Sequence, residues 1–324
     1  MLKIAVIGTG HMGRNHVRVL SEDNRFNLIG IYDTFSEQAE AVAGKYNVKA
    51  FDTLENLLSQ TDAVVVAVPS SLHKDIAIKA AQFGVHALVE KPLALTSVDA
   101  KAIVDAFYKN NLKLAVGHIE RFNPVFKELK KLTDTSDVYY IEASRYSPFS
   151  GSGRITDTTV VEDLMIHDVD LVCSIMGEIP TSIHGRGESV ISGQTDFATC
   201  LMDFGGTKHA VVNASRVSQN KERSITVHTK DSCIRADLLA KTLEVYKSTN
   251  MVMNLQEDNN YRQEGLIQKI YVPIEEPLRM ELISFYNSIV NDDPVEVDGN
   301  VGVRAIEICE IVANRSKKKE IGDN

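Results

Sequence analysis

The stretch that most limits what this chain can fold into is its first thirteen residues. An apolar, β-rich run, Lys3-Ile4-Ala5-Val6-Ile7, leads into Gly8-Thr9-Gly10-His11-Met12-Gly13, and a helical pattern continues to about Leu20. A strand, a turn with glycines at its first, third and sixth positions, and a helix form a unit in which each glycine has a task. Gly8 permits the tight turn, Gly10 lets backbone approach a ligand closely, and Gly13 lets the helix pack tightly. The helix start, with His11 and Met12, then presents N–H groups and the positive end of its dipole to an anion. Asp33, 20 positions after Gly13, completes the pattern near the end of a second strand. Its carboxylate can accept hydrogen bonds from ribose hydroxyls and would repel a 2′-phosphate, and the next basic residue along the chain is Lys45. These residues point to a bound dinucleotide, with NAD favoured over NADP.

The rest of the first third repeats the alternation of strand and helix. Strand-like runs occur at 27–32, 63–68, 86–89 and 113–117, with apolar residues at helical spacing in 36–46, 73–83 and 97–110. Such alternation predicts an α/β domain over residues 1–120, a doubly wound parallel sheet covered on both faces. The pattern changes after that. A helix at 121–132, a strand at 138–146, a Ser- and Gly-rich loop at 147–157 and a helix at 161–176 are followed by successive strand-like runs from 181 to 272. Gly205-Gly206 marks a hairpin turn between two of them. Residues 121–324 therefore read as a second, α+β domain with a large open antiparallel sheet. Two final helices, 278–291 and 301–316, can belong to it or pack back on the first domain.

Composition rules out several roles. The 324 residues carry a formal net charge of −9, which argues against a nucleic-acid partner. Lys317-Lys318-Lys319 reads as a solvated tail. Cys173, Cys200, Cys233 and Cys309 are widely spaced, form no CxxC pair, and suggest reduced thiols with neither a disulfide framework nor a bound metal. No signal peptide opens the chain, and no apolar run reaches the roughly 20 residues a membrane helix needs. The expected compartment is the cytoplasm, with no membrane partner.

Further candidates sit where parallel sheets bind ligands, beyond the carboxyl ends of strands. Ser70 and His73 follow the third predicted strand, and Glu90-Lys91-Pro92 ends the next. Pro92 restricts Lys91 to extended backbone, which aims its side chain; on chemistry alone Lys91 is equally a solvent-facing lysine. Asp163 and His167, four apart on a predicted helix, share a face. A histidine there suits proton transfer near neutral pH, although an Asp–His pair on a helix surface is more often structural.

Gly8–Gly13, the 69–73 loop and Glu90-Lys91-Pro92, at these spacings, resemble the glucose–fructose oxidoreductase/inositol dehydrogenase/MocA family along nearly the whole chain. The resemblance implies a Rossmann domain, a second domain with an open antiparallel sheet, and NAD(P)-dependent hydride transfer at a carbon of a sugar or cyclic polyol. It further implies that Glu90 bonds the nicotinamide ribose and that Lys91 reaches the reacting oxygen. Asp163 and His167 would then be catalytic, His167 taking the hydroxyl proton with Asp163 holding it, while the sugar lies between the two domains. Gly117-His118-Ile119-Glu120-Arg121-Phe122-Asn123-Pro124, Ser147-Pro148-Phe149 and residues 163–168 resemble the branch that includes UDP-N-acetylglucosamine 3-dehydrogenases. That branch implies a nucleotide-sugar substrate, with Lys91, Arg121, Asn123 and His167 as substrate contacts; for Arg121 a structural ion pair is an equal alternative. Inositol or aldose chemistry, and a non-catalytic NAD-binding regulator, are the other readings. The resemblance also suggests a homodimer or homotetramer packed through the open sheet face.

Overall fold

The computed structural model of the chain describes residues 1–133, 138–149, 159–248 and 265–316. Residues 150–157 of the Ser- and Gly-rich loop and the lysine run 317–319 lie outside the described residues. Two compact units emerge, one of Met1–Phe122 with Glu275–Glu310, the other of the described parts of Asn123–Ile274 and Ile311–Asn324.

The first unit runs β1 (Leu2–Ile7), α1 (His11–Glu22), β2 (Phe26–Tyr32), α2 (Ser36–Tyr46), β3 (Lys49–Ala50), α3 (Leu54–Leu58), β4 (Ala63–Val66), α4 (His73–Gln82), β5 (His86–Glu90), α5 (Ser97–Lys109) and β6 (Leu114–Gly117). The second contains α6 (Pro124–Leu132), β7 (Val138–Tyr146), α7 (Ile166–Met176), β8 (Ser182–Glu188), β9 (Phe197–Gly205), β10 (Lys208–Ser215), β11 (Glu222–Thr229), β12 (Cys233–Asp237), β13 (Thr242–Ser248) and β14 (Gly265–Ile270). Two helices follow: α8 (Pro277–Val290), which belongs to the first unit, and α9 (Gly299–Ser316), which contributes to both.

The six strands of the first unit are ordered β3-β2-β1-β4-β5-β6, and every pairing is parallel. The strand order reverses between β1 and β4, and the glycine turn leaves β1 at that crevice, where such sheets bind ligands. β4 (Ala63–Val66) is buried at every position, as a strand covered on both faces must be. One core cluster joins Ile4 and Val6 of β1, Val17 and Leu20 of α1, and Leu278, Leu282 and Phe285 of α8. The last three explain why α8 belongs here: its apolar stripe completes this core.

The second unit is an eight-stranded sheet, ordered β14-β13-β12-β11-β7-β10-β9-β8. It is antiparallel except at one place. β10 lies parallel to β7, with His209 opposite Tyr140 and Ser215 opposite Tyr146. The predicted run of hairpins gives no hint of this. The chain between the two strands contains α7, β8 and β9, long enough for a crossover that brings β10 back in the same direction. Along β9 the inner positions Ala198, Cys200, Met202 and Phe204 are buried, while Thr199, Leu201 and Asp203 are exposed on the other face. Among the described residues no helix is long and apolar enough to cross a membrane.

Candidate active site

The glycine turn has the geometry its spacing requires. Gly8 sits at φ +93°, and a Cβ there would come within 2.5 Å of the Ala67 carbonyl oxygen. At Gly13 an added Cβ would lie 1.9 Å from the Gly8 carbonyl oxygen, so the turn and the helix start touch backbone to backbone. Gly10 differs, since a Cβ there would meet no atom of the described residues within 4 Å. Gly10 caps α1 with no side-chain hydrogen bond, and the first turn, with exposed His11 and half-buried Met12, has no acidic residue. Open space over a helix start with unshared N–H groups fits a pyrophosphate.

Asp33 is tied back to the same turn. Its carboxylate accepts from the Thr9 N–H at 2.7 Å, the Thr9 hydroxyl at 2.7 Å and the Phe35 N–H at 3.0 Å. Burial alone would raise its pKa, but the Phe35 and Thr9 hydrogen bonds outweigh that and hold it below the usual carboxylate range. It is therefore a fixed negative charge at the end of β2, with acceptor capacity left for a hydroxyl. Arg14 on α1 donates to the Thr9 carbonyl oxygen at 3.3 Å, so one cation stands near this end of the site.

At the carboxyl ends of β4 and β5 the other candidates are drawn together. Ser70 opens a short 3₁₀ turn, Ser70–Leu72, and is half-buried. His73, a cofactor contact on the sequence reading, is instead 1% exposed, and both its ring nitrogens face backbone carbonyls. Nδ1 lies 2.8 Å from the Pro92 oxygen and Nε2 lies 3.0 Å from the Val68 oxygen. Burial pushes its pKa down despite these carbonyls. With both nitrogens occupied, His73 braces the Lys91-Pro92 segment, whose peptide bond is cis, against the loop after β4. Glu90 is nearly buried, and its Oε1 lies 2.8 Å from Nε2 of fully buried His16 on α1. The helix that starts at the glycine turn thus also holds the Glu90-Lys91 end of the site. Lys91 itself is half-buried.

In the second unit a π-helical turn, Val161–Met165, precedes α7 and carries Asp163. The π-helical turn widens the backbone just before His167, and such turns recur at functional sites. Asp163 accepts from Nη2 of Arg216 at 3.1 Å, and Arg216 is only 2% exposed. His167 is half-buried one position into α7, and the next residue, Asp168, is held by Arg145 in a buried two-pronged pair at 2.8 Å for both bonds. This pair locks the start of α7 to β7.

The two remaining candidates have different standings. Arg121 is half-buried on a 3₁₀ turn, Ile119–Phe122, of the first unit. Asn123, expected to contact substrate, is 6% exposed, caps α6 by accepting from the Val125 N–H at 3.1 Å, and donates to the Leu238 carbonyl at 3.4 Å. Its polar atoms serve the fold. Sequence reasoning misses His16, Thr9, Arg216 and Arg145. Thr9 lies inside the glycine motif and could be noticed there; the other three act across distant segments, where spacing carries no signal.

Comparison with known proteins agrees with this geometry. Residues 2–118 match the model of an oxidoreductase family with an NAD-binding Rossmann fold, and residues 136–235 match the GFO/IDH/MocA C-terminal domain. The chain is 32% identical over 306 residues to UDP-N-acetylglucosamine 3-dehydrogenase of Acidithiobacillus ferrooxidans, covering 94% of each. A solved structure of that enzyme superposes with a TM-score of 0.87 at 31% identity, covering 97% of both chains. Inositol 2-dehydrogenase of Rhizobium meliloti is 23% identical over 335 residues, spanning 99% of this chain and 98% of its own. The chain belongs to the glucose–fructose oxidoreductase/inositol dehydrogenase/MocA family of NAD(P)-dependent oxidoreductases.

Proposed function

We propose that this enzyme oxidises a ring hydroxyl of a nucleotide sugar, the 3-hydroxyl of UDP-N-acetylglucosamine or a close analogue, and uses NAD as the hydride acceptor. The observation that carries the substrate reading is the 32% identity, sustained over 94% of both chains, to an enzyme of that name. For the coenzyme it is Asp33, a fixed carboxylate where a 2′-phosphate would otherwise sit.

When bound, the nicotinamide supplies the acceptor for hydride at C4. Gly8 and Gly13 permit the tight turn and close helix packing, Gly10 gives the pyrophosphate room, His11 and Met12 would offer it their backbone N–H groups, and Asp33 would take the adenosine ribose hydroxyls. Ser70 lines the site and Glu90, oriented by His16, bonds the nicotinamide ribose. Lys91 donates a hydrogen bond to the substrate oxygen and stabilises the negative charge that develops on it as the carbon gives up hydride. His167 takes the hydroxyl proton, so the C–H electron pair leaves as hydride and the O–H pair becomes the second bond of the carbonyl. Asp163, fixed by Arg216, favours the protonated histidine that results. Arg121 contacts the anionic part of the substrate.

The similarity to inositol 2-dehydrogenase along 99% of the chain supports a second reading, in which the hydroxyl belongs to a cyclic polyol. One assay separates the two. The protein is incubated with NAD or NADP and, in turn, UDP-sugars, inositols and free aldoses, while reduced-coenzyme absorbance and product mass are followed. Turnover of UDP-N-acetylglucosamine with NAD, giving a product two hydrogens lighter, is expected. Silence with every UDP-sugar, alongside rapid turnover of a polyol, would overturn the substrate reading and leave the family standing. A clear preference for NADP would overturn the reading of Asp33.

A further inference from the structure

Behind Glu90 the first unit holds a second acid that none of these roles uses. Glu281 on α8 is 2% exposed, and neither carboxyl oxygen has a hydrogen-bond partner among the described residues. α8 packs on the 3₁₀ turn Ile119–Phe122 and on α1, the helix that carries His16. His16 is fully buried, with Nε2 on Glu90 and no partner for Nδ1 among the described residues. The other Glu90 oxygen lies over Gly117, where an added Cβ would come within 2.9 Å of it. Glu90 is thus enclosed by β6 and α1, and its negative charge is felt by Glu281.

We propose that Glu281 is a positioning residue of the coenzyme site: with Glu90 and His16 it forms a buried acid pair that holds more of a proton beside reduced than beside oxidised nicotinamide, making the choice between NAD⁺ and NADH depend on pH. The proposal rests on the reading of Glu90 as the contact to the nicotinamide ribose. Two carboxyls that share a low-dielectric region cannot both ionise without a large penalty, so charge on one opposes charge on the other. Burial, and then the charge of Glu90, push Glu281 well above the usual carboxylate range. A positive nicotinamide ring beside Glu90 favours loss of the proton from the pair, and a neutral dihydronicotinamide removes that incentive. An isolated buried glutamate with no hydrogen bond costs stability, which gives it no structural reason to be there.

Other charged groups lie on and beside the packed elements. Arg18 and Glu22 of α1 are engaged at the surface by Glu276 and Arg279 of α8. Arg14 bonds Thr9, and His11 is exposed at the glycine turn. His118, Glu120 and Arg121 approach from the segment after β6, and Lys91 follows Glu90 directly. Lys91 and His167 are the alternative sources of a coenzyme-linked proton, because a nearby positive ring disfavours the protonated form of either.

The test is calorimetric titration of the full-length protein with NAD⁺ and with NADH, from pH 6 to 9, in buffers of differing ionisation enthalpy. Proton release is expected with NAD⁺ and less with NADH. NAD⁺ affinity should accordingly rise with pH, by at most about tenfold per pH unit for one proton, against a flatter NADH profile. Glu281→Gln keeps the shape and removes the proton, so its NAD⁺ release should fall to the NADH level. Lys91→Met and His167→Ala each remove one alternative source, and the difference between coenzymes should persist in both. Equal proton counts for the two coenzymes in wild type, loss of the difference in Lys91→Met or in His167→Ala, or unchanged release in a folded Glu281→Gln would each overturn the proposal. Failure of both coenzymes to bind would instead overturn the site reading, and this inference with it.

Discussion

Gly10 and Gly13 stand three residues apart in one motif, yet they answer to different neighbours. Gly13 is required by the protein, since any Cβ would run into the Gly8 carbonyl at 1.9 Å, whereas at Gly10 a Cβ would meet nothing among the described residues. Gly10→Ala should therefore fold with an unchanged melting temperature and lose coenzyme affinity by about tenfold or more, the cost of blocking a close backbone approach to the pyrophosphate. Gly13→Ala should lose stability as well. Thermal melts read beside coenzyme titration separate the cases, and a Gly10→Ala variant that binds as well as wild type would remove the close pyrophosphate approach. Lys91 and His167 make a second pair to compare. Lys91→Met and His167→Ala should each lower turnover by about 10²- to 10⁴-fold, the usual range for acid–base and charge-stabilising groups. Coenzyme affinity should stay essentially unchanged in His167→Ala, since it lies outside the coenzyme-binding unit, and wild-type turnover in either variant would end its assigned role. At this scale the sequence is informative for residues whose task is local. Asp33 and the glycines can be found by counting, because strand, turn and helix fix their relation. Glu281 cannot, because a glutamate on an amphipathic helix looks solvated until the packing of α8 is known.

The elements show the same division. Long strands and helices with a clear period are legible, including β4 (Ala63–Val66) as a fully buried parallel strand and the helix carrying His167. The two-residue β3 and five-residue α3 are too short to establish a period, and the π-helical turn of Val161–Met165 breaks the helical period just where Asp163 sits. The β7–β10 parallel pairing is a long-range choice with no local signature. How elements reach the site is visible around Asp196, which is fully buried at the end of the loop joining β8 to β9. Its side chain accepts from the N–H groups of Val190, Ile191 and Ser192 and from the Ser192 hydroxyl, and its backbone carbonyl accepts the N–H of Arg216, the residue that holds Asp163. Burial by itself would raise the Asp196 pKa, but these bonds outweigh it and bring the carboxyl down to about 2. A folded pKa below the unfolded value of 3.8 means that the contribution to stability is full above about pH 4 and disappears as pH falls through about 2. Asp196→Asn should lose about 2 kcal/mol at neutral pH, from the size of that shift, and the deficit should close between about pH 4 and 2. Unfolding curves at neutral pH, near pH 4 and near the folded pKa of about 2 measure this; a deficit constant across the series would mean that the charge plays no part.

For the molecule as a whole, each unit has its own logic of exposure. The parallel sheet of the first unit hides its strands, whereas the larger sheet of the second has one face left open. On that face Tyr140 of β7 lies between His209 of β10 and His228 of β11, with ring centroids 4.7 and 5.3 Å away. Burial and a hydrogen bond to Glu142 push the Tyr140 hydroxyl up to about 12, so it stays neutral. Leu201, directly opposite Val211 on β10 and His184 on β8, is 39% exposed. Such a face is mixed, aromatic and polar with scattered apolar groups. A broad, rigid, half-apolar sheet still makes a good self-complementary surface, since a two-fold axis sets the same patch of both copies face to face, residue i on residue j and j on i. We therefore expect the protein to be a homodimer or homotetramer in solution through this face. Leu201→Glu, which puts a charge where Leu201 and Val211 would be covered, should shift sedimentation toward the 35.8 kDa single chain. NAD affinity should be retained, because the coenzyme residues belong to the other unit. Wild-type protein that sediments as a single chain at micromolar concentration would refute the assembly. An unchanged oligomer in Leu201→Glu would place the interface on some other surface, and the open sheet face would then need a different occupant.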